Sequence, residues 1–198
     1  TPIQVIPTGL PADRYVRGDG ERFRSAHDIP RGRPLLLYVG RVAHEKNIDF
    51  LLRAFVEVRR SRPDALLVIA GEGPARATLA RQVLALGLGQ DVRFIGYLDR
   101  QQGLPDCYAA ADVFVFASRT ETQGLVLLEA MAQQSAVVST AHLGTASILQ
   151  PGCGAWVAPE EAAVFARGVL AMIEEPVRRQ HAAAQSHAMS PSLQPSTG

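Results

Sequence analysis

The sequence predicts a doubly wound α/β domain, in which a parallel sheet of about six strands carries helices on both faces. Three observations lead to this fold class. Short apolar runs alternate with longer segments of helical periodicity along most of the chain. The apolar runs are continuous, as expected for strands that are buried on both faces. Glycine or a polar turn follows most of these runs and separates each strand from the next helix.

The predicted elements follow one another in order along the chain. The helix after the first strand has apolar residues at helical spacing from Ile48 to Val58, and Asn47 is a candidate for its N-cap. Another helix begins near Gly124, after the fourth strand. The predicted strands are 34–40, 65–70, 92–95, 112–117, 136–139 and 155–158, and the remaining predicted helices are 75–86, 104–111, 146–149 and 160–175.

The two ends of the chain differ from the alternating part. Residues 1–33 open with an extended piece broken by three prolines and continue as a polar segment with one short helix. We interpret them as a linker and the start of the domain, which then spans residues 34–178. Residues 179–198 lose apolar periodicity and are rich in Ser, Pro and Ala, so we expect a disordered tail.

Composition limits the possible classes of function. With 198 residues, of which 47% are hydrophobic and 20% charged, the chain can bury one good core. A formal net charge of +1, with no Lys/Arg run longer than a pair, predicts no nucleic-acid partner. Cys107 and Cys153 have neither metal-ligand spacing nor the density of a disulfide scaffold, which fits a reducing cytoplasm. The sequence contains no stretch of about eighteen apolar residues that would predict a membrane span.

Two carboxylates frame the turn after the fourth strand. Glu121 lies in the loop itself, and Glu129 lies inside the next helix, whose other residues from Leu125 to Ala132 are apolar. An ionised Glu in such a helix needs a partner or a wet cleft, because an unpaired buried carboxylate is strongly destabilising. Two interpretations stay open at this point. Glu129 either pairs with a basic side chain or a backbone donor, or it binds a ligand.

This stretch carries a family resemblance. Glu121 and Glu129, separated by seven residues in the sequence Thr-Glu-Thr-Gln-Gly-Leu-Val-Leu-Leu-Glu, resemble the signature of the retaining glycosyltransferases of family four. Those enzymes have the GT-B fold, and the signature lies in their C-terminal, Rossmann-like, nucleotide-sugar-binding domain. The resemblance covers roughly Ile3 to Glu175 and implies that residues 34–178 are that domain. A softer likeness points to the branch that glucosylates diacylglycerol.

The resemblance implies roles for four charged residues. Arg41 and Lys46, after the first strand, match the family's diphosphate-binding Arg and Lys, although a surface Arg and Lys near a helix start is the alternative. Glu121 matches the carboxylate beside the transferred sugar and completes the expected catalytic set. Glu129 matches the residue that binds the ribose hydroxyls, a role that suits a carboxylate because it accepts two hydrogen bonds from a diol.

The turn before the signature helix is expected to bind the diphosphate. A helix N-terminus presents N–H donors and the positive end of its dipole to an anion. The expected donors are the backbone groups of Thr122, Gln123, Gly124 and Leu125. The chain contains no Asp-x-Asp sequence, and the resemblance implies that basic side chains and this helix terminus stabilise the charge, so neither a metal nor another cofactor is expected.

Two further loops are expected at the same edge of the sheet. Gly71 and Gly73 resemble the family's Gly-x-Gly-Pro phrase and are expected to let the backbone turn close to the cleft. A dinucleotide fingerprint is not satisfied, because Arg76 takes the place of its third glycine. Gly96 is expected to let the backbone approach the nucleotide base. Tyr97 either packs on that base or only covers the end of the strand.

The resemblance implies a retaining enzyme that transfers a hexose from a nucleoside diphosphate sugar, with a UDP-sugar favoured, to a lipid or saccharide acceptor. We expect the N-terminal, acceptor-binding domain to be missing, so that this chain binds the donor but transfers little alone. The expected location is the cytoplasm, including the inner face of the membrane if the acceptor is a lipid. Two alternatives stay open, a regulatory nucleotide-binding module without turnover and half of an NAD-dependent oxidoreductase.

Overall fold

The computed structural model describes residues 17–121, 124–140 and 155–174. Within these ranges the chain forms one six-stranded parallel sheet. All predicted strands are present, and their bounds differ from the predicted ones by about one residue at most. The strands are β1 Leu35–Val39, β2 Leu66–Ala70, β3 Val92–Gly96, β4 Val113–Phe116, β5 Ala136–Ser139 and β6 Trp156–Val157. Their order across the sheet is β3-β2-β1-β4-β5-β6.

Helices connect the strands and cover both faces of the sheet. They are α1 Gly20–Ala26, α2 Ile48–Ser61, α3 Arg76–Ala85, α4 Gly103–Ala110, α5 Leu125–Ala132 and α6 Ala162–Glu174. With right-handed crossovers, α2 and α3 lie on one face, while α4 and α5 lie on the other because the chain then runs in the opposite direction. The packing agrees with this arrangement, since α2 contacts α3 and α4 contacts α5, while α6 packs beside α2 and α1 beside α4. The predicted doubly wound α/β fold is therefore confirmed.

The core lies on both faces of the inner strands of the sheet. Every residue of β1 and β2 is buried, as their continuous leucine, valine and isoleucine runs predict. On one face, α2 meets α6 through Phe50 and Phe165, whose rings are 5.4 Å apart and nearly perpendicular. Near the carboxyl ends of β1 and β4, the rings of Tyr38 and Phe116 stack at 6.0 Å. This layer supports the loops that follow those two strands.

The helix α1 confirms the predicted short helix before the first strand. Asp19 caps it, because its side chain accepts the N–H groups of Glu21 and Arg22. Arg22 also donates two hydrogen bonds to Asp106 on α4, at 2.6 and 2.8 Å. The buried Arg24 donates to three backbone carbonyls, among them that of Ala110, and to a side chain at the start of β4. Residues 17–33 are thus fastened to the sheet and to α4.

Asn47 differs from its predicted role as an N-cap. It directly precedes α2, but its side chain makes no capping hydrogen bond. Its backbone is left-handed, with φ 56° and ψ 34°, because a short 3-10 helix, His44–Lys46, ends immediately before it. A capping side chain needs the extended backbone instead. Asn47 therefore serves the turn through its tolerance of the left-handed conformation.

Several predictions fall on residues that the structure does not describe. These are the linker over residues 1–16, the brief helix at 146–149 and the tail at 179–198. None of the helices in the described ranges is long and apolar enough to cross a lipid bilayer.

Candidate functional site

The sheet order changes direction between β1 and β4. The chain moves from β1 outward to β2 and β3, and from β4 outward to β5 and β6 on the other side. Loops that leave the carboxyl ends of two such strands diverge, and the crevice between them is where ligands bind in sheets of this kind. Arg41 and Lys46 follow β1, and Glu121 follows β4. The fold thus brings the predicted catalytic set to one crevice.

Lys46 and Glu121 form an ion pair across this crevice. The Lys46 Nζ lies 3.2 Å from the Glu121 Oε2, and the two side chains are only 18% and 19% exposed. The other Glu121 oxygen, Oε1, accepts the backbone N–H of Gly124 at 3.0 Å. One carboxylate therefore joins the loop after β1 to the turn that begins α5.

The start of α5 agrees in part with the predicted anion site. Gly124 has φ 62°, a left-handed conformation that glycine adopts without strain, and Leu125 is the first residue of the helix. The Gly124 N–H already donates to Glu121, so a ligand would have to replace that carboxylate to use it. Thr122 and Gln123 lie outside the described residues.

Arg41 is more exposed to solvent than Lys46. Its side chain is 64% exposed, and the Glu45 carboxylate lies 3.8 Å from its Nη1, a distance typical of a weak surface pair. Its backbone is fixed, because the Tyr38 hydroxyl donates to the Arg41 carbonyl at 3.1 Å. Burial, and to a lesser extent the charge of Glu121, raises the pKa of Tyr38 above its usual value, so this hydroxyl stays protonated. The Arg41 guanidinium can therefore reorient toward a ligand from a fixed base.

Glu129 has polar partners inside the protein. Its Oε2 accepts a hydrogen bond from the Tyr108 hydroxyl at 2.9 Å. Its Oε1 lies 3.8 Å from the guanidinium of Arg100, which is largely exposed. A tyrosine on α4 is thus one of the polar partners that the sequence required for this carboxylate.

Gly71 and Gly73 bring the backbone after β2 close to the loop after β1. A Cβ atom on Gly71 would lie 2.0 Å from the carbonyl oxygen of Gly40, and one on Gly73 would lie 2.2 Å from that of Val42. The Val42 N–H donates to the Glu72 carbonyl at 2.9 Å between the same two loops. The close backbone approach is therefore to the loop after β1. These glycines support the loop that carries Arg41 and Lys46.

The loop after β3 leaves one aromatic side chain in solvent. Gly96 has φ 73°, and its carbonyl accepts the Gly71 N–H at 2.7 Å, which ties this loop to the one after β2. Tyr97 is 79% exposed. A side chain that covered the end of β3 would be mostly buried, so this alternative does not describe Tyr97. Its ring is available for stacking.

With the site described, the chain can be compared with known proteins. The model of the family described as "Glycosyl transferases group 1" matches residues 19–189. The chain belongs to this family.

Curated relatives of this glycosyltransferase domain act on different substrates. The alpha-D-kanosaminyltransferase of Streptomyces kanamyceticus is 32% identical over 178 residues, which are 88% of this chain and 46% of that protein. The alpha-monoglucosyldiacylglycerol synthase of Streptococcus pneumoniae is 35% identical over 141 residues, which are 69% of this chain and 32% of that protein. The chain spans less than half the length of these relatives.

Solved structures confirm the GT-B relationship. A sucrose-phosphate synthase from Thermosynechococcus elongatus superposes with a TM-score of 0.84 at 26% identity, over 96% of this chain and 48% of that one. The Anabaena protein HepE, solved in complex with UDP and glucose, superposes with a TM-score of 0.81 at 20% identity, over 94% of this chain and 51% of that one. The likeness to HepE, at this low identity, shows the fold alone.

Two residues of this glycosyltransferase site were missed by the sequence analysis. Arg119, in the loop that carries Glu121, donates from its Nε to the Glu160 carboxylate at 3.0 Å and ties that loop to the segment before α6. Tyr108 contacts Glu129 from another helix. A tyrosine in an otherwise apolar segment signals that its hydroxyl needs a partner. Nothing in the sequence pattern names that partner, because it lies on a different element.

The described residues hold no group of three or more His, Cys, Asp or Glu side chains that could bind a metal ion. Cys107 is buried in α4, and burial raises the pKa of its thiol, so it is an inert core residue. Cys153 lies outside the described residues.

Proposed function

We propose that this chain is the donor-binding domain of a retaining glycosyltransferase, which transfers a hexose from a UDP-sugar to a lipid or saccharide acceptor. The observation that carries the proposal is the contact of Lys46 with Glu121 at the switch point of a group 1 glycosyltransferase domain. The contact supports the proposal because a lysine ammonium suits a diphosphate and a carboxylate suits the hydroxyls of a sugar. The complex of HepE with UDP and glucose supports the choice of nucleotide.

The donor would lie across the carboxyl ends of β1, β3 and β4. Lys46 contacts the diphosphate from the loop after β1, and the exposed Arg41 swings onto it as a second cation. Glu129 accepts the two ribose hydroxyls with its carboxylate oxygens. Tyr97 stacks on the base from the loop after β3.

In this proposal Glu121 positions the sugar and does not attack it. Both of its oxygens already accept hydrogen bonds, from Lys46 and from the Gly124 N–H, which lowers its nucleophilicity. The sugar instead reacts on one face, and the departing phosphate accepts the proton of the incoming hydroxyl. Lys46, Arg41 and the N-terminus of α5 stabilise the negative charge that develops on that phosphate. We therefore propose that the reaction needs no metal.

The acceptor would be bound by a second domain, as in a complete GT-B enzyme. The likeness to an alpha-monoglucosyldiacylglycerol synthase supports a lipid acceptor, and a saccharide is the alternative acceptor. A lipid acceptor would bring this domain to the cytoplasmic face of the membrane. Vesicles that contain diacylglycerol, tested against vesicles without it, distinguish these acceptors once the second domain is present.

A thermal-shift titration tests the proposal on this chain. The ligands are UDP, GDP, UDP-glucose, GDP-mannose and NAD, and the variants are Glu129→Ala and Glu57→Ala. Glu57 is a matched control, because it is also a helical glutamate but pairs with Arg60 on the surface of α2. A ligand at about a hundred times its dissociation constant stabilises the folded state by about 2.7 kcal/mol.

We expect UDP and UDP-glucose to raise the melting temperature of the wild type and of Glu57→Ala, but not of Glu129→Ala. Stabilisation by GDP compounds alone would overturn the choice of base. Stabilisation by NAD alone would overturn the proposed function. Binding of UDP-glucose without any transfer after the acceptor domain is supplied would identify a nucleotide-binding module instead.

A further inference from the structure

We propose that Tyr108 is a positioning residue, which holds the Glu129 carboxylate in the orientation that binds the ribose of the donor. The inference rests on the proposed function and extends it to a residue outside the crevice. Its basis is the hydrogen bond from the Tyr108 hydroxyl to the Glu129 Oε2, at 2.9 Å, between α4 and α5.

The Tyr108 hydroxyl is fixed in space by its surroundings. The residue is buried, and its ring centroid lies 5.7 Å from that of Phe114 on β4. Its backbone carbonyl accepts the Ser135 hydroxyl at 2.9 Å, which ties α4 to the segment before β5. The ring and the backbone of the tyrosine are therefore both held, and the position of its hydroxyl oxygen is set by the core.

The hydrogen bond from Tyr108 orders the Glu129 side chain. A glutamate side chain has three rotatable bonds and loses considerable entropy when a ligand immobilises it. The Tyr108 hydroxyl removes much of that rotational freedom before the nucleotide-sugar binds. This hydrogen bond engages one oxygen of a carboxylate group that has about four lone-pair sites. Arg100, at 3.8 Å and largely exposed, is too loosely held to supply the same constraint.

The test compares UDP with 2′,3′-dideoxy-UDP, which lacks the diol. Isothermal titration measures both ligands with wild type, Tyr108→Phe, Glu129→Gln and the double variant. Tyr108→Phe keeps the ring contact with Phe114 and removes only the hydroxyl. Ser135→Ala is the structural control, because it removes a hydrogen bond to the Tyr108 backbone without touching Glu129. Thermal unfolding of each variant shows that it is folded.

We expect Tyr108→Phe to weaken UDP binding about tenfold and dideoxy-UDP binding by less than about twofold. The double variant should lose little more than Glu129→Gln alone, because both changes remove the same interaction. Ser135→Ala should lower the melting temperature and leave the preference for UDP unchanged.

Three outcomes would overturn the inference. Equal losses for the two ligands in Tyr108→Phe would give Tyr108 a merely structural role. Additive losses in the double variant would separate Tyr108 from Glu129. Equal binding of UDP and the dideoxy compound by wild type would refute the ribose role of Glu129. A separate outcome, in which wild type binds neither ligand, would refute the proposed function itself.

Discussion

Replacing Glu121 with glutamine tests whether the Glu121 carboxylate competes with the diphosphate for Lys46. Glu121 pairs at 3.2 Å with Lys46, the cation that we assign to the diphosphate. A diphosphate entering the crevice has to share Lys46 with this carboxylate and is repelled by it. Glutamine keeps an oxygen that can accept the Gly124 N–H, so the turn before α5 is preserved while the charge is removed.

The burial of the pair sets the expected magnitude. Exposed ion pairs contribute about 0–1 kcal/mol, and breaking a buried pair costs about 3–5 kcal/mol. With side chains 18% and 19% exposed, Lys46 and Glu121 lie between these cases. We expect Glu121→Gln to destabilise the fold by about 1–2 kcal/mol and to tighten UDP binding by about 1 kcal/mol, or about fivefold. Lys46→Met should weaken UDP binding by about tenfold or more.

Isothermal titration with UDP, together with urea unfolding, measures both effects. Asp64→Asn is the matched control, because it makes the same change in net charge near the start of β2, at the opposite end of that strand from the crevice. It should leave UDP binding within about twofold of wild type at moderate salt. A complete enzyme carrying Glu121→Gln should at the same time lose transfer activity, because the group beside the sugar has changed.

The reasoning is refuted if Glu121→Gln weakens UDP binding as strongly as Lys46→Met does. That result would mean that Glu121 contributes to nucleotide binding directly and that its charge does not compete with the diphosphate. Abolished nucleotide affinity combined with intact transfer in the complete enzyme would contradict the sugar-positioning role as well.

Three further predictions concern the fold. Gly71→Ala should lower the free energy of unfolding, measured in urea, by about 2–4 kcal/mol, because the new Cβ atom overlaps a backbone oxygen. Gly32→Ala should lower it by only about 1 kcal/mol, because a Cβ atom there meets no other atom. Burial raises the pKa of Asp106, but the hydrogen bonds from Arg22 and from the Asp19 N–H, together with the charge of Arg22, outweigh burial and leave the pKa below its usual value. Stability should therefore fall as the pH drops below about 4, and it should fall less steeply in Asp106→Asn. Cys107 should resist iodoacetamide at pH 8 until the protein unfolds, as followed by peptide mass spectrometry.

Each of these expectations has a contradicting result. Equal losses for the two glycine variants would show that the loop after β2 yields to a Cβ atom. If the loss of stability below about pH 4 is unchanged in Asp106→Asn, other carboxylates cause it. Labelling of native Cys107 at the rate of a free thiol would show that α4 opens readily.

Much of the fold followed from the sequence because its signals are local. The run from Leu35 to Val39 and the helical spacing after Ile48 depend only on neighbouring residues, and both elements formed as predicted. The strands' order also placed Arg41, Lys46 and Glu121 at one edge, since parallel strands share their carboxyl ends. Asn47 failed as a cap because the preceding 3-10 helix changed its backbone conformation, which residue type alone does not reveal.

The sequence by itself determined the alternation of strands and helices, the family and the chemical types at the site. Tertiary structure decided which of those groups touch. Lys46 and Glu121 are 75 residues apart, and Tyr108 and Glu129 are 21 apart, yet each pair is in hydrogen-bond contact. A hydrogen bond acts only at about 3 Å and depends on the direction of both side chains. Those directions are set by how separate elements pack, so no local pattern in the chain encodes them.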